Sequence, residues 1–560
     1  MIELIQSIYP DHTTEIQAGI DTLLKKYAAE IKPVDSNAPS ELCQKDSILI
    51  TYGDSFREDG ISPLQCLKKF ACQQLGDCVS AIHLLPCFPY TSDDGFSVQD
   101  YYQIDPALGN WFDMEELGQS YELMFDAVVN HISKSSEWFK GFLDGDARYA
   151  DYFIVADPDA DYSSVTRPRA LPLLHPFRQG DKTVHVWTTF SEDQVDLNFH
   201  SPSVLLAVLD VLLFYVARGA RYIRLDAIAF IWKELGTSCM HLPQTHGIIQ
   251  LCRKVIEQLA PQVAIITETN VPHEENISYF GNGSNEAHLV YNFTLPPLLM
   301  YSLHRQNVDT LTRWASSLDL PGDRTCFFNF TASHDGVGVR PLQGIVSTEA
   351  IEELAEIARS HGGFVSMRDN GDGTQSPYEI NCNYFDFATD PSSSDSVRVQ
   401  RFLLTQSVML TMPGVPGIYY HSIIGSENDR QAAIDSKINR RINRAKLHYP
   451  SLAAELERPD TIRSQVFNRY KTMLTARGGE PLFAPFVAAE YHSAGPVFVI
   501  RRSNDDGTLF AVHNFSDSDE AITLPGEKLT DLLTGQQLGS GSDVTSITLQ
   551  PFEFRWLRMT

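Results

Sequence analysis

Asp226, Glu268 and Asp335 are the residues whose types and placement could do chemistry together in this 560-residue chain. They stand at the ends of apolar runs of strand length, in GARYIRLDAIAF (219–230), AIITETN (264–270) and NFTASHDG (329–336). Glycosyl transfer with retention needs two carboxylates: one attacks the anomeric carbon, the other first donates and then removes a proton. A third can stabilise the positive charge of an oxocarbenium-like transition state. Arg224 precedes Asp226 by two positions, so on a strand both side chains point to one side. Buried charge is costly unless paired. The pair therefore reads either as a structural ion pair or as a nucleophile held ionised by its neighbour. His131 and His334 suit hydrogen bonds to sugar hydroxyls. Taken singly, each of these residues reads as structural; their joint order and spacing make the chemical case.

Parallel strands with helices outside can bring such distant residues together. Residues 47–52 (SILITY), 81–85 (AIHLL), 123–129 (LMFDAVV), 222–227 and 263–267 (VAIIT) read as strands, with helical patterns at 63–74, 204–216 and 245–259 between them. At this length the alternation favours a closed (β/α)8 barrel over an open sheet. The polar residues Asn130, His131, Asp226, Glu268, His334 and Asp335 gather after strand C-terminal ends, where barrel enzymes build their sites. The expected organisation is a helical extension at 1–45, ending in the linker PVDSNAPS, with the barrel in 46–131, 197–335 and 391–480. Residues 132–196 read as an inserted subdomain. Residues 336–390 read as an inserted loop region, in which GGFVSMRDNGDGTQSPYE is too long for a simple connection. Residues 481–560, with PVFVIR and LFAVHN, read as an all-β domain.

The chain carries 44 basic and 71 acidic residues, a net charge of −27. That argues against nucleic acid or an anionic membrane as partner. An anionic substrate would need a local basic cluster. The nine cysteines are odd in number and mostly in apolar runs, with no CxxC, which fits free thiols in a reducing, cytoplasmic setting. No apolar stretch of about twenty residues suggests a membrane span. Glycine-rich phosphate loops are absent at strand–helix junctions, so no nucleotide cofactor is expected. The Asp/Asn run at 369–372 reads as solvated turns rather than a metal site.

DAVVNH (126–131), GARYIRLDA (219–227), ITETN (266–270) and FTASHDG (330–336) resemble the four ordered motifs of the α-amylase superfamily, glycoside hydrolase family 13. The resemblance covers roughly residues 47–480. It implies Asp226 as nucleophile, Glu268 as acid/base and Asp335 as transition-state stabiliser. It also implies Arg224 holding Asp226 ionised, and His131 and His334 around a glucosyl ring. HLLPCFPYTSDDGF, TRPRALPLL, VWTTFSEDQVDLN, LVYNFTLPPLL and PGVPGIYYHSIIGSENDRQ are similar to the sucrose phosphorylase subfamily. By that likeness Asp93, Phe96 and Arg440 grip the sugar, while Arg169, Gln194, Tyr378 and Glu379 lie near acceptor or phosphate. Glu379 stands where sucrose phosphorylases usually carry Gln, and Phe230 where they usually carry Tyr. The N-terminal extension, the NVPHEENISYFG run and the 362–381 loop look more like the glucosylglycerate phosphorylases. The implied enzyme is a retaining glycoside phosphorylase that needs no cofactor or metal, acts on a small sugar substrate and inorganic phosphate, and is a monomer or homodimer. A sucrose, sucrose 6'-phosphate or glucosylglycerol phosphorylase, a hydrolase or transglucosylase using the same first step, and a silent binding protein are the alternatives.

Overall fold

The computed structural model describes residues 1–31, 41–169, 171–370, 373–539 and 541–559. The PVDSNAPS linker lies outside them, as do Gly371 and Asp372 of the 369–372 run. Eight strands close a barrel: Ile48–Thr51, Ala81–Leu84, Glu122–Ala127, Ala220–Leu225, Ala264–Thr267, Leu289–Tyr291, Cys326–Phe330 and Val415–Tyr419. Each pairs in parallel with its neighbours in chain order, and the first pairs with the last. The expected barrel is therefore present. Its strands are nearly continuous apolar runs because helices cover the outside and side chains fill the inside.

Pro202–Ala217 shows how sequence sets a helix in this shell. Pro202 occupies the first turn, where its missing N–H costs nothing, and the run VLLAVLDVLLFYV is apolar nearly all round. One face packs on the barrel and the other receives the helix Thr13–Tyr27. Asp210 on this helix accepts from Lys26 Nζ at 2.6 Å, Tyr27 OH at 3.1 Å and Tyr102 OH at 2.6 Å. Gly19 faces Leu206 so closely that an added Cβ would meet its methyl carbon at 2.4 Å. The N-terminal helices are thus part of the barrel's outer packing.

Two long connections rise from the carboxyl end of the barrel. After the third strand come the helix Glu137–Asp144, the hairpin Leu174–Gln179 with Lys182–Trp187, and a short strand Gln194–Asp196 paired with His131–Ser133. After the seventh come the helix Thr348–Ser360 and a three-stranded sheet of Val337–Gly338, Gln375–Asn381 and Phe364–Asp369. The stretch 362–379 that reads as loop in the sequence is largely this hairpin. The C-terminal strands form a six-stranded and a two-stranded sheet with their own apolar core. Buried polar bonds join them to the barrel helix Asp395–Thr411: Trp556 Nε1 donates to Ser407 Oγ at 2.8 Å and Arg502 Nη1 to the Thr411 carbonyl at 3.0 Å. Among the described residues, no helix is long and apolar enough to cross a membrane.

Candidate active site

Asp226, Glu268 and Asp335 line one pocket at the carboxyl end of the barrel, with a cavity of about 110 Å³. Asp226 and Glu268 directly follow the fourth and fifth strands, and Asp335 lies five residues past the seventh. Parallel register between the fourth and fifth strands pairs Leu225 with Thr267, so the two carboxylates leave adjacent strands at the same height. Ala227, just after Asp226, has φ +47°, a left-handed conformation uncommon for a residue with a Cβ. That turn aims the Ala227 N–H at Glu268 Oε2, 3.1 Å away.

Beneath these carboxylates runs a buried ionic chain. Arg224 Nη1 donates to Asp226 Oδ1 at 2.8 Å and to Asp126 Oδ1 at 2.5 Å, while Nη2 lies 3.7 Å from Glu268 Oε2. Asp126 Oδ2 is 2.9 Å from His83 Nε2. Burial pushes Asp226 well above the usual carboxylate range; Arg224 opposes this, and the Glu268 charge adds to it. Asp126 is drawn below its usual range, since Arg224 and His83 outweigh its burial. Arg224 is shared between Asp126 and Asp226, and at Asp226 its charge works against burial. Glu268 is also raised, by burial first, with Arg224 opposing and Asp335 reinforcing. Both carboxyls are thus raised chiefly by burial, with Arg224 opposing the rise in each. Arg224 sits under the pocket floor rather than lining it.

Asp335 differs from this pair. Arg440 Nη1 contacts its Oδ1, with Arg444 Nη2 at 3.5 Å and His334 Nε2 at 3.4 Å. Arg440 and Arg444 overcome burial and hold Asp335 far below the carboxylate range. His334 stacks on Phe96, centroids 4.5 Å apart and planes within 6°, and burial pushes it down to about 3, so the ring is neutral. His131 is also lowered by burial. Its Nε2–H reaches the Phe96 carbonyl at 2.9 Å, which assigns Nδ1 as acceptor from Asn130 Nδ2 at 3.2 Å.

Asp93 enters from the loop after the second strand. Asp93 and Asp94 have φ +53° and +51°, two consecutive left-handed residues. Asp94 is held by Arg441 Nη2 at 2.5 Å and Arg444 Nη1 at 2.6 Å, which fixes the turn. Asp93 accepts from Arg169 Nη2 at 3.2 Å and lies 3.5 Å from Gln194 Nε2. It is lowered to about 2, because Arg169, Arg440 and Arg444 outweigh burial. The Arg169 guanidinium is thus partly committed to Asp93, and it lies over the Phe190 ring at 5.7 Å.

Glu379 does not line the pocket. It is buried behind Arg440, accepting from Nε at 3.0 Å and Nη2 at 2.6 Å. The expectation of an acceptor-facing Glu379 is corrected: a buried carboxylate takes the nearest guanidinium. Tyr378, its neighbour, does line the pocket. Neighbouring residues of a strand point to opposite faces, which separates the two. Ser366 pairs with Glu379 and Met367 with Pro377, so Tyr378 is an extra, bulged residue and the register shifts by one there.

Sequence reasoning missed Arg340, Asn270 and Phe190, which also line the pocket. Asn270 is the last residue of ITETN, two after Glu268, and could have been found there. Arg340 is five residues after Asp335, with no local motif to mark it. Among the described residues, no cluster of His, Cys, Asp and Glu could hold a metal.

The comparisons agree with this geometry. Residues 71–325 match the alpha amylase catalytic domain, and the barrel with its pocket is of the α-amylase type. A solved structure of sucrose 6F-phosphate phosphorylase from Thermoanaerobacter thermosaccharolyticum shares the fold, with a TM-score of 0.75 at 23% identity over 86% of this chain and 95% of that one. The glucosylglycerate phosphorylase of Escherichia coli (strain K12) is 46% identical over 92% of each chain. The sucrose phosphorylase of Streptococcus mutans serotype c is 28% identical over 83% of this chain and 94% of its own. The chain belongs to the glycoside phosphorylases of the α-amylase superfamily, and it is an enzyme.

Proposed function

We propose that the protein is a retaining phosphorylase of 2-O-α-D-glucosyl-D-glycerate, releasing D-glycerate and forming α-D-glucose 1-phosphate. The observation that carries this reading is the set of three carboxylates lining one pocket in a chain 46% identical to a glucosylglycerate phosphorylase. In this reading Asp226 attacks the anomeric carbon and forms a β-glucosyl ester as the glycosidic bond breaks. Glu268 gives its proton to the departing glycerate oxygen. The geometry around Arg224 supports this division: its Nη1 donates to Asp226 at 2.8 Å, while Nη2 stands 3.7 Å from Glu268. Asp335, kept ionised by Arg440, stabilises the oxocarbenium-like transition state. A phosphate oxygen then attacks the same carbon and gives its proton back to Glu268, the ester bond breaks and Asp226 is freed. Two inversions leave the α-configuration.

Asp93, Phe96, His131 and His334 hold the glucosyl ring in this scheme, and Arg440 acts through Asp335. Arg169, Gln194 and Tyr378 face the acceptor and phosphate. Nine free cysteines support a reducing, cytoplasmic setting. The test is synthesis from α-glucose 1-phosphate with D-glycerate, glycerol, fructose and fructose 6-phosphate, followed as phosphate release. Preference for D-glycerate is expected. Preference for fructose or glycerol would leave a phosphorylase of another acceptor.

A further inference from the structure

Each cation that faces a carboxylate in this pocket is already engaged, with one exception. Arg224 is held by Asp126 and Asp226, Arg440 by Asp335 and Glu379, and Arg169 by Asp93. Arg340 makes no ion pair and no side-chain hydrogen bond among the described residues, and its Nε is buried without a partner. Its position is nonetheless fixed. The strand Val337–Gly338 pairs with the strand carrying Tyr378, and the Val339 N–H donates to the Tyr378 carbonyl at 3.2 Å. Arg340 opens the short helical turn that follows and lines the same pocket as Tyr378, Pro168 and Arg169. Its charge is felt by both Tyr378 and His241.

Arg477 and Arg502, buried arginines that likewise lack an ion pair, donate to backbone carbonyls, whereas the half-buried Arg340 guanidinium has neither kind of partner among the described residues. Leaving such a group unpaired costs stability unless a ligand supplies the anion. Arg offers a planar fork that fits a carboxylate or phosphate at two points. We propose that Arg340 is the specificity-determining residue that receives the oxyanion at the acceptor side of the pocket, the carboxylate of D-glycerate above all. This assignment rests on the functional reading above. It also places the anion away from Glu379, whose charge is spent on Arg440.

The experiment uses the full-length enzyme and α-glucosyl fluoride as donor, so that departure of the first leaving group needs little help from an acid. Arg340→Gln and Arg340→Lys are compared with the unaltered protein for KM towards D-glycerate, glycerol and inorganic phosphate. With Arg340→Gln, KM for D-glycerate should rise roughly 10- to 150-fold, the effect of losing a hydrogen-bonded charge contact. KM for glycerol should move less than about threefold, since glycerol brings no carboxylate. Arg340→Lys should recover part of the loss. A rise in phosphate KM as well means that one guanidinium serves both oxyanions, and an unmoved phosphate KM means that it serves glycerate alone; either agrees with the proposal. An unchanged D-glycerate KM, or equal losses for glycerol and D-glycerate, overturns it. If the unaltered enzyme ignores D-glycerate, the functional reading has failed instead. Arg340 is then judged by phosphate, and an unchanged phosphate KM overturns the proposal.

Discussion

Glu379 and Arg440 meet at two points, Nε to Oε1 at 3.0 Å and Nη2 to Oε2 at 2.6 Å, and the same guanidinium turns its remaining nitrogen to Asp335. Arg440 is thereby clamped between a structural carboxylate and one in the pocket. Glu379→Gln keeps the shape but removes one charge and one acceptor oxygen from the pair. It should cost about 1–3 kcal/mol of stability. Denaturant unfolding reads this directly, and an unaltered midpoint would mean that the clamp contributes nothing.

Asp226→Asn should lower turnover at least about a thousandfold, since an amide cannot form the ester. The same substitution should make the folded protein more stable at neutral pH. Burial raises Asp226 above its unfolded value, so the folded state binds the proton more tightly and loses stability as pH rises from the unfolded pKa through the raised one. Asparagine does not titrate. The gain in Tm should be largest at neutral pH and vanish below the ordinary aspartate pKa. A variant no more stable than its parent at pH 7 would contradict the raised pKa. Proton NMR of the phosphorolysis product from the unaltered enzyme should show the α anomer, and a β product would exclude the covalent route.

Glu268→Gln should slow cleavage of glucosylglycerate roughly 10²- to 10⁴-fold while leaving attack on α-glucosyl fluoride much less affected. Fluoride departs without a proton from Glu268, whereas a glycerate alkoxide does not. Equal losses with both donors would remove Glu268 from the acid's role.

Arg169→Ala should act first through Asp93. Burial pushes the Asp93 carboxyl up, and Arg169 leads the three arginines that bring it down to about 2. Without Arg169 its pKa rises, so the acidic limb of kcat/KM for the donor should move to higher pH. A pH profile with an unmoved acidic limb would show that Arg440 and Arg444 suffice.

Much of this was legible in the sequence, for identifiable reasons. The five strands read from it begin or end within about two residues of those observed, because full burial on both faces writes itself as an unbroken apolar run. Leu289–Tyr291 and Val415–Tyr419 were harder: one has three residues, and the other contains Pro416 and Gly417. The three pocket carboxylates were visible because each directly follows such a run or closes a motif. Pair partners were not. Glu379 and Arg440 are sixty-one positions apart, and nothing local shows which way a buried carboxylate turns. The hairpin of Phe364–Asp369 and Gln375–Asn381 was hidden by the Gly/Asp/Asn-rich sequence between them, although Pro377, which has no N–H to give, already marks an interrupted ladder.

The extra residue at Tyr378 makes the shape of this pocket wall a matter of counting as well as of identity. Side chains along a strand alternate, so Tyr378 and Glu379 already diverge, and the surplus residue shifts the pairing register beyond them by one. Deleting one residue beside it would let the ladder close regularly and change the aim of both. An engineer who transplants this hairpin from a relative should therefore move residues 364–381 as one cassette with the surplus position intact. Point changes within it tune contacts, whereas a single-residue indel rewires the wall.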